Sequence, residues 1–133
     1  MNPIAERREE EKERRREEIL DAAEQVFSEK GIDAATMEQV ARKARVSRAL
    51  VYVYFKDKPA LHLGVCLRGL GVLRNAFQSA REKHRTGAEQ IKAIGLAYMR
   101  FAENHPTYLQ PCPALSLKNM RLLKATHAAT PWR

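Results

Sequence analysis

Cysteine is scarce in this 133-residue sequence, in which Cys66 and Cys112 stand 46 positions apart. No Cys-x-x-Cys motif or Cys/His cluster surrounds them, which argues against a zinc site and against a disulfide framework. We therefore expect two ordinary thiols in a reducing compartment. The four histidines share no spacing typical of metal ligands, and we predict neither a metal nor another cofactor.

The sequence also lacks a long apolar run. No stretch approaches the roughly 18 apolar residues of a membrane span, and the N-terminus is charged where a secretory signal would be apolar. No nucleophile and base share a recognisable catalytic setting, so we do not expect an enzyme. These absences predict a soluble cytoplasmic protein without a membrane partner, and the length suits a single domain or a small module with an appended helical piece.

The net charge of +8 is concentrated in one part of the chain. Residues 1–18 have a net charge of −1 and residues 19–39 of −4, whereas residues 40–85 reach +9 and residues 86–133 add +4. Lys and Arg placed against phosphates release counterions and bind without reading sequence. The basic segment favours nucleic acid as a partner, although a solvated surface that only increases solubility is left open.

The first 18 residues are charged and rich in helix formers, with Glu10 and Arg14 at the i, i+4 spacing that supports an exposed helix. We interpret them as an N-terminal arm, either a frayed helical extension or disordered, with contact to DNA as the functional alternative. From Ile19 to Gly31, apolar residues recur at helical spacing. This pattern predicts helix 1, from residue 5 or 17 to residue 30.

Two short helices follow in the sequence. Thr36 is placed as the N-cap of helix 2 over Met37–Ala44, and Ser47 as the N-cap of helix 3, which runs from Arg48 to about residue 54. The outward side of helix 3 includes no acid, as a surface against phosphate requires. A short turn between two such helices, after a longer amphipathic helix, is typical of a DNA-binding helix-turn-helix.

Asp57 as an N-cap and Pro59 in the first turn predict a long helix 4 to about residue 85, and the apolar stripe before Pro106 predicts helix 5 over residues 88–104. Glycines within helix 4 fit either close packing or a flexible link. We therefore predict an all-α fold: a three-helix helix-turn-helix DNA-binding domain, one long helix, a further helix and an irregular tail. The predicted domains are a charged N-terminal arm (1–18), the DNA-binding domain (19–60), a partial C-terminal helical domain (61–106) and the tail (107–133), with a short helix near 116–124.

The segment SRALVYVYFKDKPAL, preceded by ILDAAEQVFSEKGIDAATMEQVARKARVS, resembles the tetracycline-repressor (TetR/AcrR) family of bacterial regulators. The resemblance covers residues 19 to about 63 and rests on an aromatic-x-aromatic-Phe-x-x-Lys motif following a Phe-x-x-x-Gly helix end and a Thr-capped helix. AYMRFAENHP in helix 5 is similar more loosely. Arg45 stands where many members have the turn glycine, and the last 25 residues do not resemble the family's further helices.

This resemblance implies a homodimer that binds a palindromic operator in double-stranded DNA, usually as a repressor released by a small-molecule effector. Helix 3 would lie in the major groove, with Arg48 suited to a guanine edge or a phosphate and Ala49 to a thymine methyl group. Position by position, the residues that correspond to phosphate or base contacts are Thr36, Ser47, Arg48, Ala49, Leu50, Tyr52, Tyr54 and Lys58.

Two alternatives remain open at this point. Tyr52 and Tyr54 have the size and amphipathic character of half-buried packing residues as well as of DNA contacts. The second alternative concerns the whole chain. In this alternative the chain is a truncated helical interaction module that pairs with a full-length relative and does not regulate alone.

Overall fold

In the computed structural model, which describes residues 2–109, every regular element is helical. The elements are α1 (Pro3–Lys30), α2 (Met37–Ala44), α3 (Arg48–Tyr54), α4 (Lys58–Glu82), α5 (Gly87–Asn104) and a 3₁₀ helix (Pro106–Leu109). The all-α prediction is confirmed over this range. Residues 107–109 belong to the 3₁₀ helix instead of an irregular tail, whereas the rest of the predicted tail and the helix near 116–124 lie outside the described residues.

Helix α1 is much longer than its buried part. The Asn2 side chain accepts a hydrogen bond from the Ile4 amide at 3.1 Å, and Pro3 occupies the first turn, where its missing N–H is not needed. Exposed ion pairs such as Lys12–Glu9, at 2.7 Å, line the first half of the helix, and burial begins at Ile19. From Pro3 onward the charged segment is therefore a continuous part of α1. This agrees with the helical extension and with the earlier of the two predicted helix starts, residue 5, and not with a disordered arm.

Helices α2 and α3 begin after the N-caps that the sequence predicted. Thr36 Oγ1 accepts from the Gln39 amide at 3.2 Å while Gln39 Oε1 accepts from the Thr36 amide at 3.1 Å, a reciprocal capping box. Ser47 Oγ accepts from the Leu50 amide at 3.1 Å. Between the two helices Arg45 adopts a left-handed conformation with φ 57°, which costs a residue with a Cβ about 1 kcal/mol.

One hydrophobic core joins the first four helices. Its largest fully buried side chains are Phe27, Ile19, Leu20, Leu61, Val40, Val51 and Val65. Because Leu61 and Val65 belong to α4, the first turns of that helix complete the helix-turn-helix core beyond residue 60, where the sequence analysis had ended that domain. A Cβ at Gly64 would stand 3.0 Å from both Leu20 Cδ2 and Phe55 Cε1, so close packing explains this glycine.

Arg68 of α4 connects α1 to the 3₁₀ helix. Its guanidinium lies 2.7 Å from Asp21 Oδ1, 2.7 Å from Glu24 Oε2 and 3.2 Å from Glu17 Oε2. The Tyr108 hydroxyl donates to Glu24 at 2.7 Å. Burial disfavours the charged guanidinium, but hydrogen bonds with Tyr108, Asp21 and Glu24 outweigh it and raise the pKa of Arg68. Because α5 packs along α4, this network fixes the C-terminal elements against the helix-turn-helix.

Candidate nucleic-acid interface

Helix α3 has one side in the core and one in solvent. Val51 is fully buried and Phe55, which caps the helix, is 5% exposed. At 100° per residue, Ala49, Tyr52 and Val53 point away from Val51, and Arg48 is exposed at the N-terminal end. These four residues, Arg48, Ala49, Tyr52 and Val53, are called the exposed face of α3 below.

Arg48 and Tyr52 form a pair one helical turn apart on this face. The guanidinium carbon of Arg48 lies 5.6 Å from the centroid of the Tyr52 ring, a cation–π distance. Interaction with the Tyr52 phenol raises the pKa of Arg48. The pair holds a positive charge and a phenolic hydroxyl together, which are the groups that bind a phosphate or a guanine edge.

The two predicted hydroxyl contacts, Thr36 and Ser47, are used as helix caps. Each side-chain oxygen accepts a hydrogen bond from a backbone amide three residues further along. A hydroxyl has one proton to donate in addition to its acceptor lone pairs. Both residues are exposed, so each can cap its helix and donate to a phosphate oxygen at the same time.

Lys58 is committed to contacts within the protein. Its Nζ donates to the carbonyl oxygens of Ile32 at 2.7 Å, Ala35 at 3.1 Å and Asp33 at 3.2 Å. These bonds use the three donors of the ammonium group and tie the start of α4 to the loop after α1. The DNA contact predicted for Lys58 stays a prediction, but the geometry shows a structural role that the sequence did not reveal.

The sequence left open whether Tyr52 and Tyr54 are packing residues or DNA contacts, and the structure places the two side chains in different surroundings. Tyr54 is half-buried and packs against the core, whereas Tyr52 is 40% exposed and belongs to the exposed face of α3. Packing therefore accounts for much of Tyr54 and little of Tyr52. Whether either residue touches DNA stays a prediction.

Val53 is a candidate contact that the sequence analysis missed. It is 75% exposed, the most exposed large apolar residue among residues 2–109, and it follows Ala49 by four positions on the same side of α3. An exposed branched apolar side chain beside a methyl group fits contact with a thymine methyl. The available signal was the i, i+4 relation to Ala49, while Leu50, which we had predicted as a contact, is only half-exposed.

Further basic side chains are exposed on the elements next to α3, namely on α2, in the turn before α3 and directly after α3. Arg42, Lys43, Arg45 and Lys56 are all exposed. Arg42 lies 3.8 Å from Glu38 and Lys43 lies 3.7 Å from Glu29, but exposed pairs of this kind contribute at most about 1 kcal/mol and exchange readily.

No cluster of three or more His, Cys, Asp or Glu side chains among residues 2–109 is arranged to hold a metal ion. None of the helices described is both long and apolar enough to span a membrane.

Helices α1, α2 and α3 form a three-helix unit, in which α3 leaves an acid-free side in solvent. This arrangement is that of a helix-turn-helix protein. Residues 19–65 match the family model described as bacterial regulatory proteins of the tetR family. This segment therefore carries the DNA-binding domain that the TetR family model describes, as its sequence motif implied.

Individual relatives agree with this assignment. The transcriptional activator FasR of Mycolicibacterium smegmatis is 31% identical over 90 residues, which cover 68% of this chain and 41% of FasR. The repressor MexZ of Pseudomonas aeruginosa is 30% identical, with a TM-score of 0.61 over 86% of this chain and 59% of MexZ. The fatty acid degradation regulator FadR of Bacillus halodurans, at 22% identity, shares the fold with a TM-score of 0.70 over 84% of this chain and 61% of FadR. The chain thus spans less than two thirds of these relatives.

Proposed function

We propose that the protein is a sequence-specific DNA-binding transcriptional regulator that inserts α3 into the major groove of duplex DNA. The observation that carries the proposal is the exposed face of α3, which combines Arg48 and Tyr52 with the apolar Ala49 and Val53 and contains no acid. Arg48 would read a guanine or bind a phosphate, and the two apolar side chains would contact thymine methyl groups. Thr36, Ser47 and Tyr52 would bind phosphates and set the register of α3.

The test is binding to duplex DNA, measured by fluorescence anisotropy over a series of KCl concentrations. We expect Tyr52→Phe to weaken binding to all duplexes by a similar factor and to leave the salt slope nearly unchanged, because it removes one uncharged phosphate donor. Arg48→Ala should weaken binding and also lower the free-energy difference between the preferred base pair and another at one position, by about 1–3 kcal/mol. Lys92→Ala, which removes an exposed charge from α5, serves as the control. The proposal fails if the wild-type protein shows no salt-dependent binding to duplex DNA at low ionic strength.

We further propose that the protein is a homodimer and that it acts as a repressor. Both properties are usual in the TetR family. Two recognition helices about 34–36 Å apart would match successive major grooves and would demand a palindromic site. Selection of bound sequences from a random pool tests this, because a single half-site without symmetry would contradict dimeric binding. The named relatives include both an activator and a repressor, so reporter expression with the selected site decides the direction.

A small-molecule effector is part of the same proposal. An open cleft with a volume of about 370 Å³ lies between α4 and α5, and its lining includes the apolar Val72, Ala76, Leu96 and Phe101 and the basic Lys83 and Arg100. Its size fits a small ligand, and its mixed lining would suit an apolar molecule with an anionic group. Release of bound DNA by such a molecule would support the proposal.

One observation favours the second candidate function, a helical interaction module. Large apolar side chains on the C-terminal helices are exposed, among them Leu70 of α4 at 51% and Ile91 and Met99 of α5 at 74% and 59%. A partner helix would remove this apolar area from water. Sedimentation distinguishes the two candidates, since a stable homodimer favours the regulator and a monomer that binds only a longer relative favours the module.

A further inference from the structure

The first half of α1 extends beyond the core as one continuous helix. The side of α1 that is buried from Ile19 onward can therefore be followed along this exposed half. The helix has 28 residues, and its buried side chains form one arc that includes Ile19, Ala23, Val26 and Phe27. At 100° per residue the same arc, followed toward the N-terminus, contains one acidic residue, Glu9, and four basic residues, Arg16, Arg15, Lys12 and Arg8. The four basic residues are called the basic stripe below.

The basic stripe lies beside the end of the recognition helix. The guanidinium carbon of Arg16 is 5.4 Å from the centroid of the ring of Phe55, the C-cap residue of α3. One turn further out, the pKa of Lys12 is raised first by its hydrogen bond to Glu9 and to a smaller extent by the charge of Tyr54, the last residue of α3. At 1.5 Å per residue, Arg8 extends the stripe about 12 Å beyond Arg16. The stripe therefore continues the candidate interface outward from the C-terminal end of α3.

The ion pairs of the stripe are weak and exchangeable. Lys12 pairs with Glu9 at 2.7 Å, and Arg15 pairs with Glu11 at 3.8 Å. Both pairs are exposed, and such pairs typically contribute less than about 1 kcal/mol. A DNA phosphate offers the same cations an equivalent charge-assisted hydrogen bond, and binding to it also releases counterions condensed on the DNA. Glu10 and Glu17 lie on the opposite side of the helix. The helix thus places four of the six basic residues of residues 1–18 on one side, although the net charge of this segment is −1.

We propose that the basic stripe of α1 is a second DNA-contact surface, which binds backbone phosphates flanking the bases read by α3. The stripe adds affinity and lengthens the footprint without adding sequence preference, because phosphate contacts carry no base information. The inference rests on the proposed function and commits to duplex DNA as the occupant, on the grounds of charge complementarity and continuity with the exposed face of α3.

The experiment compares two double variants that remove the same charge from the same helix. Arg8→Ala with Lys12→Ala alters the stripe, whereas Arg7→Ala with Arg14→Ala alters the opposite side of α1. The probe is a fixed 30-base-pair duplex, with binding measured by anisotropy from low to moderate KCl. We expect the stripe variant to bind about 3- to 10-fold more weakly at low salt, with a salt slope smaller by about 1 to 2, and the control to bind like wild type. Arg8→Lys with Lys12→Arg should retain wild-type binding.

Each outcome decides the proposal. Alanine favours helix, so circular dichroism should show α1 intact in both double variants. If the wild-type protein binds and the stripe variant binds equally well, the basic stripe is not a contact and the proposed function stands. If both double variants lose the same affinity, the effect is that of total charge and the proposal is overturned. If the wild-type protein does not bind DNA, the inference and the proposed function fail together.

Discussion

Replacing Arg68 with methionine should measure how firmly the C-terminal elements are joined to the helix-turn-helix. Methionine keeps most of the apolar stem but removes the guanidinium that contacts Glu17, Asp21 and Glu24. The side chains of Arg68 and Glu24 are 23% and 25% exposed, whereas Glu17 and Asp21 are 44% and 64% exposed. The Glu24 pair should therefore dominate the loss.

A hydrogen bond to a charged group contributes about 1.5–3 kcal/mol, and each exposed pair adds at most about 1 kcal/mol. We expect the free energy of unfolding to fall by about 2 kcal/mol in Arg68→Met, which corresponds to a decrease in Tm of roughly 10 °C for a domain of this size. Arg68→Lys should lose about half as much, because an ammonium group cannot bind two carboxylates in a planar fork.

Thermal and urea unfolding followed by circular dichroism provide the measurement, with Lys92→Met as a control that removes an exposed charge from α5. The reasoning would be refuted if Arg68→Met unfolded within about 2 °C of wild type, since a loss of the expected size exceeds that shift. It would also be refuted if the lysine and methionine variants were equally stable, because the planar guanidinium would then have no particular role.

Two further predictions concern α4. His62 is 3% exposed, its ring meets Phe27 edge-on at 5.7 Å, and no hydrogen-bond partner within residues 2–109 reaches its Nε2. Burial, and to a smaller extent the charge of Lys58, lowers the pKa of His62 below its ordinary value of 6.5. The stability that the neutral histidine contributes is therefore present above pH 6.5 and is lost as the pH falls through the lowered pKa. The Tm of His62→Leu should thus fall less than that of wild type between pH 7.5 and 5, and parallel pH curves would contradict this. A Cβ at Gly69 would stand 2.5 Å from Tyr108 Cγ, whereas one at Gly71 meets nothing within 4 Å, so Gly69→Ala should lower the Tm and Gly71→Ala should stabilise by up to about 1 kcal/mol. Equal shifts for the two glycines would exclude the Tyr108 contact as the reason.

The sequence by itself determined where the helices begin and which family's domain residues 19–65 match. Helix starts are encoded locally, because Thr36, Ser47 and Asp57 cap amides only three residues away. The starts predicted for α2 and α3 agree with the structure for this reason. The family motif is likewise contained in one continuous stretch, and the matched segment begins at the residue 19 that it indicated.

Only the tertiary structure decided what several side chains do. Arg68 meets carboxylates 44 to 51 positions away, and a pairing at that separation leaves no periodic signal in the sequence. Lys58 fits the family motif as a DNA contact, yet the fold brings three carbonyl oxygens to its ammonium group.

The same distinction applies to the charged N-terminal segment. Composition showed that it cannot be buried, but composition does not say which side of α1 its cations occupy. The packing of Ile19 and Phe27 against α2–α4 fixes the rotation of α1, and that rotation points Arg8 and Lys12 along the side next to α3.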